Sequence, residues 1–407
     1  MRGRIDTLTT GERVAWYRRR RGLSQEVLAG LIGRTADWLG KIENNRIELD
    51  RLSVIKSLAE VLDVSLGDLL GEPSLVDRTG SGGIGNVQAL RAALLNYRVL
   101  APLPDTVAAR PLNAPLLWQE LSRLWSAYQD SRFRYVTARL PDLLQRSQAA
   151  VDHYDGAEQD RARRVLGLAY QLAATQLTKL GERDLAWIAA DRGLAAVHAT
   201  GDPVVVGSLV RSVGHALLAI GRHAEAVRLT EHAADHLTPH LRHPTPALLS
   251  VYGTLHLSGS MAAARAGDAA TTRAFLAEAG QAAARLGTDA NHLWTAFGPT
   301  NVAIHRVAAA AELGDIQVAV EIGPTVDTSG LPIERRVRHA LEVARAYSAR
   351  NRLDDAQAVL LDAEHMAPEQ VRHHFLSRQL AVTWIRQQRR RPSASLVALA
   401  RRLGVLD

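Results

Sequence analysis

Three groups of residues have types and spacings that could do chemistry. The first lies in GLSQEVLAGLIGRTADWLGKIENNR, residues 22–46, where Asp37 and Lys41 stand four apart. On a helix that spacing puts an acceptor and a cation on one face, and a short helix with such a face can read base edges in a DNA groove. The second is Trp294, Phe297, Asn301 and His305 in NHLWTAFGPTNVAIHR, residues 291–306. If helical, they share a face, and Gly298-Pro299 should kink that helix and free backbone groups to bind a ligand. The ordinary alternative makes Trp294 and Phe297 core and His305 a helix-packing residue. The third is His232, His236, His240 and His243. The first three sit at an i+4 spacing that suits imidazole ligation of a metal. Pro239 should end the helix just before His240, and no carboxylate or cysteine stands at a matching position beyond it. A solvated polar face is the stronger reading, and no metal is expected. No Gly-x-Ser-x-Gly, phosphate loop or His-Glu-x-x-His occurs, and the carboxylates are scattered among charged neighbours. The chain is therefore expected to be no enzyme and to need no cofactor.

The elements that must position these residues are helices. Aromatic residues make up only 5% of the chain, and much of its 47% hydrophobic content is Ala and Leu, a mixture that favours close-packed helices over sheets. At 407 residues, two or more units are expected. The absence of cysteine excludes disulfides and thiolate zinc sites. A net charge of +7 permits nucleic-acid binding. With no eighteen-residue apolar run and no signal-peptide pattern, a soluble, cytoplasmic protein with no membrane partner is expected.

Residues 1–10 read as a lead-in. Thr10 precedes a helix over 11–21 that ends in the arginine run 18–21 and stops at Gly22. The run reads as a solvated face, with one or two arginines reaching phosphates if DNA is near. Ser24 caps a second helix over 25–31, in which Val27, Leu28 and Leu31 fall on one face. Gly33 supplies the turn through positive φ. Thr35 caps a third helix with Leu39 and Ile42 inward, and Asn44 or Asn45 ends it in the left-handed conformation. A fourth helix over 51–62 places Leu52, Ile55, Leu58, Ala59 and Leu62 inward, and 64–70 adds a final capped turn.

Taken in register, Gly-Leu-Ser-Gln, Leu-Ala, Ile-Gly and Ile-Glu, followed by LSVIKSLAEVLDVSLGDLL, resemble the XRE (phage-repressor or Cro-like) helix-turn-helix family over about 11–70. The resemblance implies DNA contacts at Gln25, Arg34, Thr35, Ala36, Asp37, Lys41, Asn44 and Arg46. Gln25 would meet a phosphate. Thr35, Ala36, Asp37 and Lys41 would face base edges, and Asn44 and Arg46 would touch the backbone. Lys41 suits guanine O6 and N7, Ala36 a thymine methyl, and Asp37 either cytosine N4 or the helix dipole. Two departures stand out: Gly40 inside the recognition helix, and Asn45 where the family often has glycine.

EPSLVDRTGSGGIG, residues 72–85, has the composition of a flexible linker. From Asn86 onward, helix-length segments alternate with Pro or Gly. Amphipathic stretches at 86–100, 114–129, 132–153 and 157–180 come first, with a break at 101–104. An echo then recurs, in which a helix ends, a Gly-polar turn follows and a small-residue helix starts, at Gly181, Gly221, Gly267 and Gly314, with Asn351 in a version without glycine. The rhythm resembles a divergent tetratricopeptide (TPR) array. The stretch at 291–306 also resembles a segment of long actinobacterial regulators that join an XRE domain to a TPR-like region. The basic tail 386–391 reads as solvating the last helices.

The resulting expectation is an all-α protein: a five-helix helix-turn-helix domain over 1–71, a linker over 72–85 and a TPR-like α-solenoid over 86–407 for sensing and dimerisation. It would be a sequence-specific transcriptional regulator, a homodimer on an inverted-repeat operator of double-stranded DNA. Its solenoid would bind a peptide or small-molecule signal, at Trp294, Phe297, Asn301 and His305 if that face is the pocket. The rival expectation is a TPR-type interaction scaffold with secondary DNA binding.

Overall fold

The structure, a computed structural model, describes residues 8–47, 49, 52–62, 64, 69, 87–95, 113–387 and 392–406. The expected linker at 72–85, the break at 101–104, most of the turn at 64–70 and the basic tail beyond Gln387 lie outside them. Among the described residues, regular structure is helical, and the sole extended pairing is an isolated bridge between Ala290 and Phe297. The all-α expectation holds. No described helix is long and apolar enough to cross a membrane. The chain forms two compact units, Met1–Asp77 with Arg372–Asp407, and Arg78–Val371. Residues 372–407, expected to close the repeat region, thus group with the amino-terminal unit.

In that unit, α1 (Thr10–Arg20), α2 (Gln25–Leu31), α3 (Ala36–Glu43) and α4 (Leu52–Leu62) surround one core of Val14, Leu28, Ala29, Leu39, Ile42, Ile55, Leu58, Ala59 and Leu62. The cap of α1 is Thr9, one residue before the expected start. Its hydroxyl accepts from Glu12 N at 3.2 Å and its own N–H donates to Glu12 Oε2 at 2.7 Å, a capping box. Gly11 lets α1 lie directly on the end of α3, since a Cβ there would stand 2.1 Å from the Ile42 carbonyl oxygen. Ser24 and Thr35 cap α2 and α3 as expected, accepting from Val27 N and Trp38 N. The inward stripe of α2 is narrower than expected. Leu28 and Ala29 are buried, while Val27 and Leu31 are 49% and 61% exposed.

The second unit opens with α5 (Val87–Leu94). Six helical hairpins follow among the described residues: α6 (Ala114–Gln129) with α7 (Phe133–His153), α8 (Gly156–Lys179) with α9 (Arg183–His198), and α10 (Pro203–Ala219) with α11 (His223–Leu237). Next come α12 (Pro246–Arg265) with α13 (Ala269–Leu286), α14 (Pro299–Glu312) with α15 (Ile316–Ile322), and α16 (Ile333–Ala349) with α17 (Leu353–Met366). Each hairpin turns the same way. Ser131, Gly181, Gly221, Gly267, Gly314 and Asn351 have φ between 57° and 92°. In each case the next N–H donates at 2.9 Å to the carbonyl five residues back, as from Arg132 to Ala127 and from Glu182 to Leu177. That geometry ends a helix on a left-handed residue. The sequence echo covers five of these turns, and Ser131 adds the sixth.

The first helices of the hairpins pack in a cycle. α6 meets α8, α8 meets α10, α10 meets α12, α12 meets α14, α14 meets α16, and α16 returns to α6. Polar contacts close it: Lys179 pairs with Glu334, and Ser131 Oγ donates to Gln370 Oε1 at 2.6 Å. The array is thus closed on itself, its last hairpin packing back on the first two.

α18 (Pro368–His373) leads back to the amino-terminal unit, which α19 (Phe375–Gln387) and α20 (Ala394–Arg402) complete. α19 buries Leu376, Leu380, Ala381 and Trp384. Arg386, expected to be solvated, instead places both guanidinium amino groups 3.3 Å from Glu12 Oε2.

Candidate functional site

The exposed side of α3 is built from the residues singled out in the sequence. Asp37 and Lys41 point outward, 75% and 44% exposed, with Lys41 Nζ 2.6 Å from Asp37 Oδ2. Ala36 is half-buried beside them. The Thr35 hydroxyl accepts from Trp38 N at 3.2 Å, and a hydroxyl that accepts can still donate outward. The Arg34 guanidinium lies 5.5 Å over the Trp38 ring, which holds a cation at the mouth of the turn. Beyond α3, Asn44 donates to Gly40 O at 2.7 Å, and Arg46 is exposed. Asn45 takes the left-handed turn, at φ 55°. Its Oδ1 accepts from the Thr9 hydroxyl at 2.7 Å, a bond glycine could not make.

Behind this face lies a buried network that the sequence reading missed. Arg18, from the arginine run expected to be solvated, is buried and bidentate to Glu43 at 2.6 and 2.7 Å. It also donates to Leu23 O at 2.8 Å. Hydrogen bonding to Glu43 raises the Arg18 pKa above its ordinary value. Gln25, expected on a phosphate, donates to Glu43 Oε2 at 2.7 Å. Its amide therefore fixes α2 to α3, with its second N–H left for other partners. The available signal was glutamate at 43 facing an arginine twenty-five residues earlier, a pairing without local periodicity.

The segment 291–306 departs from the expected kinked helix. Leu293, Trp294 and Ala296 have positive φ, only a 3-10 turn at His292–Trp294 forms, and Pro299 opens α14 rather than kinking it. Long-range contacts hold this loop. Gln129 and Asn291 exchange amide bonds at 2.8 and 3.0 Å, and Gln129 also donates to Trp294 O at 3.2 Å. Trp294 stacks on Trp125 with ring centroids 5.2 Å apart and lies 5.7 Å from Trp118.

The four residues therefore do not share one face. Phe297 is fully buried against Gly253, where a Cβ would stand 1.9 Å from its ring. Asn301 is fully buried, with Oδ1 lacking a hydrogen-bond partner. His305 donates from Nδ1 to Asn301 O at 2.8 Å. Burial first, then the charges of Arg335, Arg338 and Arg211, depress its pKa to about 3 against the opposing bond to Asn301, so it is neutral at physiological pH.

Other residues crowd toward the same interior. Lys179 pairs with Glu334, and Arg335 stands 4.0 Å from it. Burial works to raise the Glu334 carboxyl, but the cations Lys179, Arg335 and Arg338 outweigh it and hold its pKa at about 2. Burial, then Arg211 and Arg335, hold His215 well below its ordinary value. On the outer side, His232, His236, His240 and His243 are all exposed, and α11 ends at Leu237. Among the described residues, no group of three or more His, Cys, Asp or Glu side chains is arranged to hold a metal ion.

Comparison with known proteins bears on the amino-terminal domain. Residues 10–72 match the family model described as a helix-turn-helix domain. The chain carries a helix-turn-helix DNA-binding domain at its amino terminus, followed by a helical repeat-like region. Among solved structures it is similar to Bacillus thuringiensis PlcR in complex with the peptide PapR7 and DNA. The identity is 13%, the match covers 69% of this chain and 95% of that one, and the TM-score is 0.31. No curated protein matches the chain.

Proposed function

We propose that this protein is a sequence-specific transcriptional regulator of the XRE type, and not an enzyme. α3 lies in the major groove, where Lys41, Asp37, Ala36 and Thr35 meet base edges and Arg34, Asn44 and Arg46 meet the backbone. It acts as a homodimer on an inverted repeat, with the two recognition helices about one DNA turn, roughly 34 Å, apart. The TPR-like repeat unit takes up a peptide or small-molecule signal and biases the spacing of the two reading heads.

The observation that supports this reading best is the exposed Asp37–Lys41 face, backed by a wholly buried Leu39–Ile42 stripe within a matched helix-turn-helix domain. In a selection from random duplex DNA followed by titration at fixed salt, Lys41→Ala should cost about 1–3 kcal/mol at one base-pair position and relax preference there. Wild-type affinity and preference in Lys41→Ala and Arg34→Ala would remove α3 as the reader.

A further inference from the structure

Cations from three of the first helices gather in the interior of the repeat unit. α8 supplies Lys179, α10 supplies Arg211, and α16 supplies Arg335 and Arg338. Two carboxylates of α16 pair with some of them. Glu334 is taken by Lys179, and Glu342 is shared between Arg338 at 3.3 Å and Arg345 at 2.8 Å.

Arg211 is the least satisfied of the four. It is 6% exposed, forms no ion pair among the described residues, and its Nε is buried without a hydrogen-bond partner. The charges acting on it are that of Arg335, which repels it, and that of the Tyr128 hydroxyl, which opposes this. Burial and the Arg335 charge lower its pKa to about 10, which leaves it charged at neutral pH. A buried guanidinium facing a like charge and lacking an anion is unfavourable. Guanidinium pairs are suited to planar, bidentate capture of oxyanions. Solvent reaches the cluster at Arg335 and Arg338, whose side chains are partly exposed.

We propose that the repeat interior binds a small, doubly charged oxyanion, a phosphate monoester or a dicarboxylate, between Arg211 on α10 and Arg335 and Arg338 on α16. This assigns a chemical class to the signal in the functional reading above and rests on it. It also moves the ligand away from Phe297 and Asn301.

The test is calorimetric titration of the full chain with inorganic phosphate and, separately, with succinate, at ionic strength matched with chloride. Wild type is expected to bind one of them with millimolar or better affinity. Phosphate alone assigns a phosphorylated ligand, and succinate alone assigns a dicarboxylate. Arg335→Gln should weaken that binding about tenfold or more, and Arg211→Gln should abolish it. Because Arg211→Gln could disturb folding, Arg338→Gln serves as the second, solvent-reached variant. The site is overturned if neither anion binds above the chloride control, or if Arg335→Gln and Arg338→Gln bind as wild type does. DNA affinity measured on the same samples separates the outcomes. A failed anion site with intact DNA binding leaves the regulator standing, and lost DNA binding with an intact site does the reverse.

Discussion

Lys41 approaches DNA already paired with Asp37, so its contact with a guanine competes with a bond it holds in the free protein. Each phosphate contact by a cation is coupled to release of about one counterion, and Asp37 opposes that by adding a negative charge to the approaching face. Asp37→Ala should therefore tighten binding to random duplex and steepen the dependence of log affinity on log salt by roughly one unit. An unchanged salt slope would show that the pair dissolves at no cost, or that α3 stays away from the phosphates. Behind the pair, Glu43 holds Arg18 and Gln25 together. Glu43→Gln leaves a buried guanidinium without its anion and should destabilise the amino-terminal unit by about 3–5 kcal/mol, measured as a shift in its urea midpoint. The outward residues of α3 were legible because helical spacing alone puts Asp37 and Lys41 on one face. Arg18 was not, because its burial depends on a partner on another helix and a run of four arginines has no period of its own.

At the scale of elements, two glycines that look alike in sequence have opposite roles. Gly40 lies inside α3, and a Cβ there would meet only the Gln25 side chain, no nearer than 3.6 Å, an ordinary contact. Gly40→Ala should stabilise the domain by about 1 kcal/mol through helix propensity, visible as a higher melting temperature. Gly11 has no such room, because its Cβ would collide with the Ile42 carbonyl. Gly11→Ala should force α1 off α3 at a cost of about 1–3 kcal/mol or more. If Gly11→Ala melts like wild type, the α1–α3 approach is looser than described. Caps and turns were the legible part of the elements, since Ser24, Thr35 and the glycine turns act through their own backbones. Ser131 escaped notice because serine rarely marks a left-handed turn. The segment 291–298 was misread as helix because its conformation is imposed by Gln129 and Trp125, more than 160 residues away in sequence.

At the scale of the molecule, the repeat unit carries an acid liability built into its interior. His305 has a pKa of about 3 in the fold against an ordinary 6.5, so the unfolded chain takes up a proton first as pH falls. Stability from this group is complete above pH 6.5 and drains away between 6.5 and 3. Glu334, at about 2 against an ordinary 4.5, adds a loss of the same sign below pH 4.5. The urea midpoint of the repeat unit should fall through the first window, and His305→Gln should flatten that fall by on the order of a few kcal/mol without abolishing it, because His215, His256 and His339 are depressed as well. A midpoint independent of pH from 6.5 to 3 would contradict a neutral interior histidine. The repeat rhythm was legible because each turn is local. The return of α16 onto α6 was not, since closure depends on the rotation accumulated over six hairpins. That closure also constrains how the unit could have evolved. An open stack can gain or lose a helix pair at little expense, because only one neighbour junction changes. Here an added or deleted pair would part Lys179 from Glu334 and Ser131 from Gln370 together, so the number of hairpins is held fixed, much as the number of blades is held in a propeller.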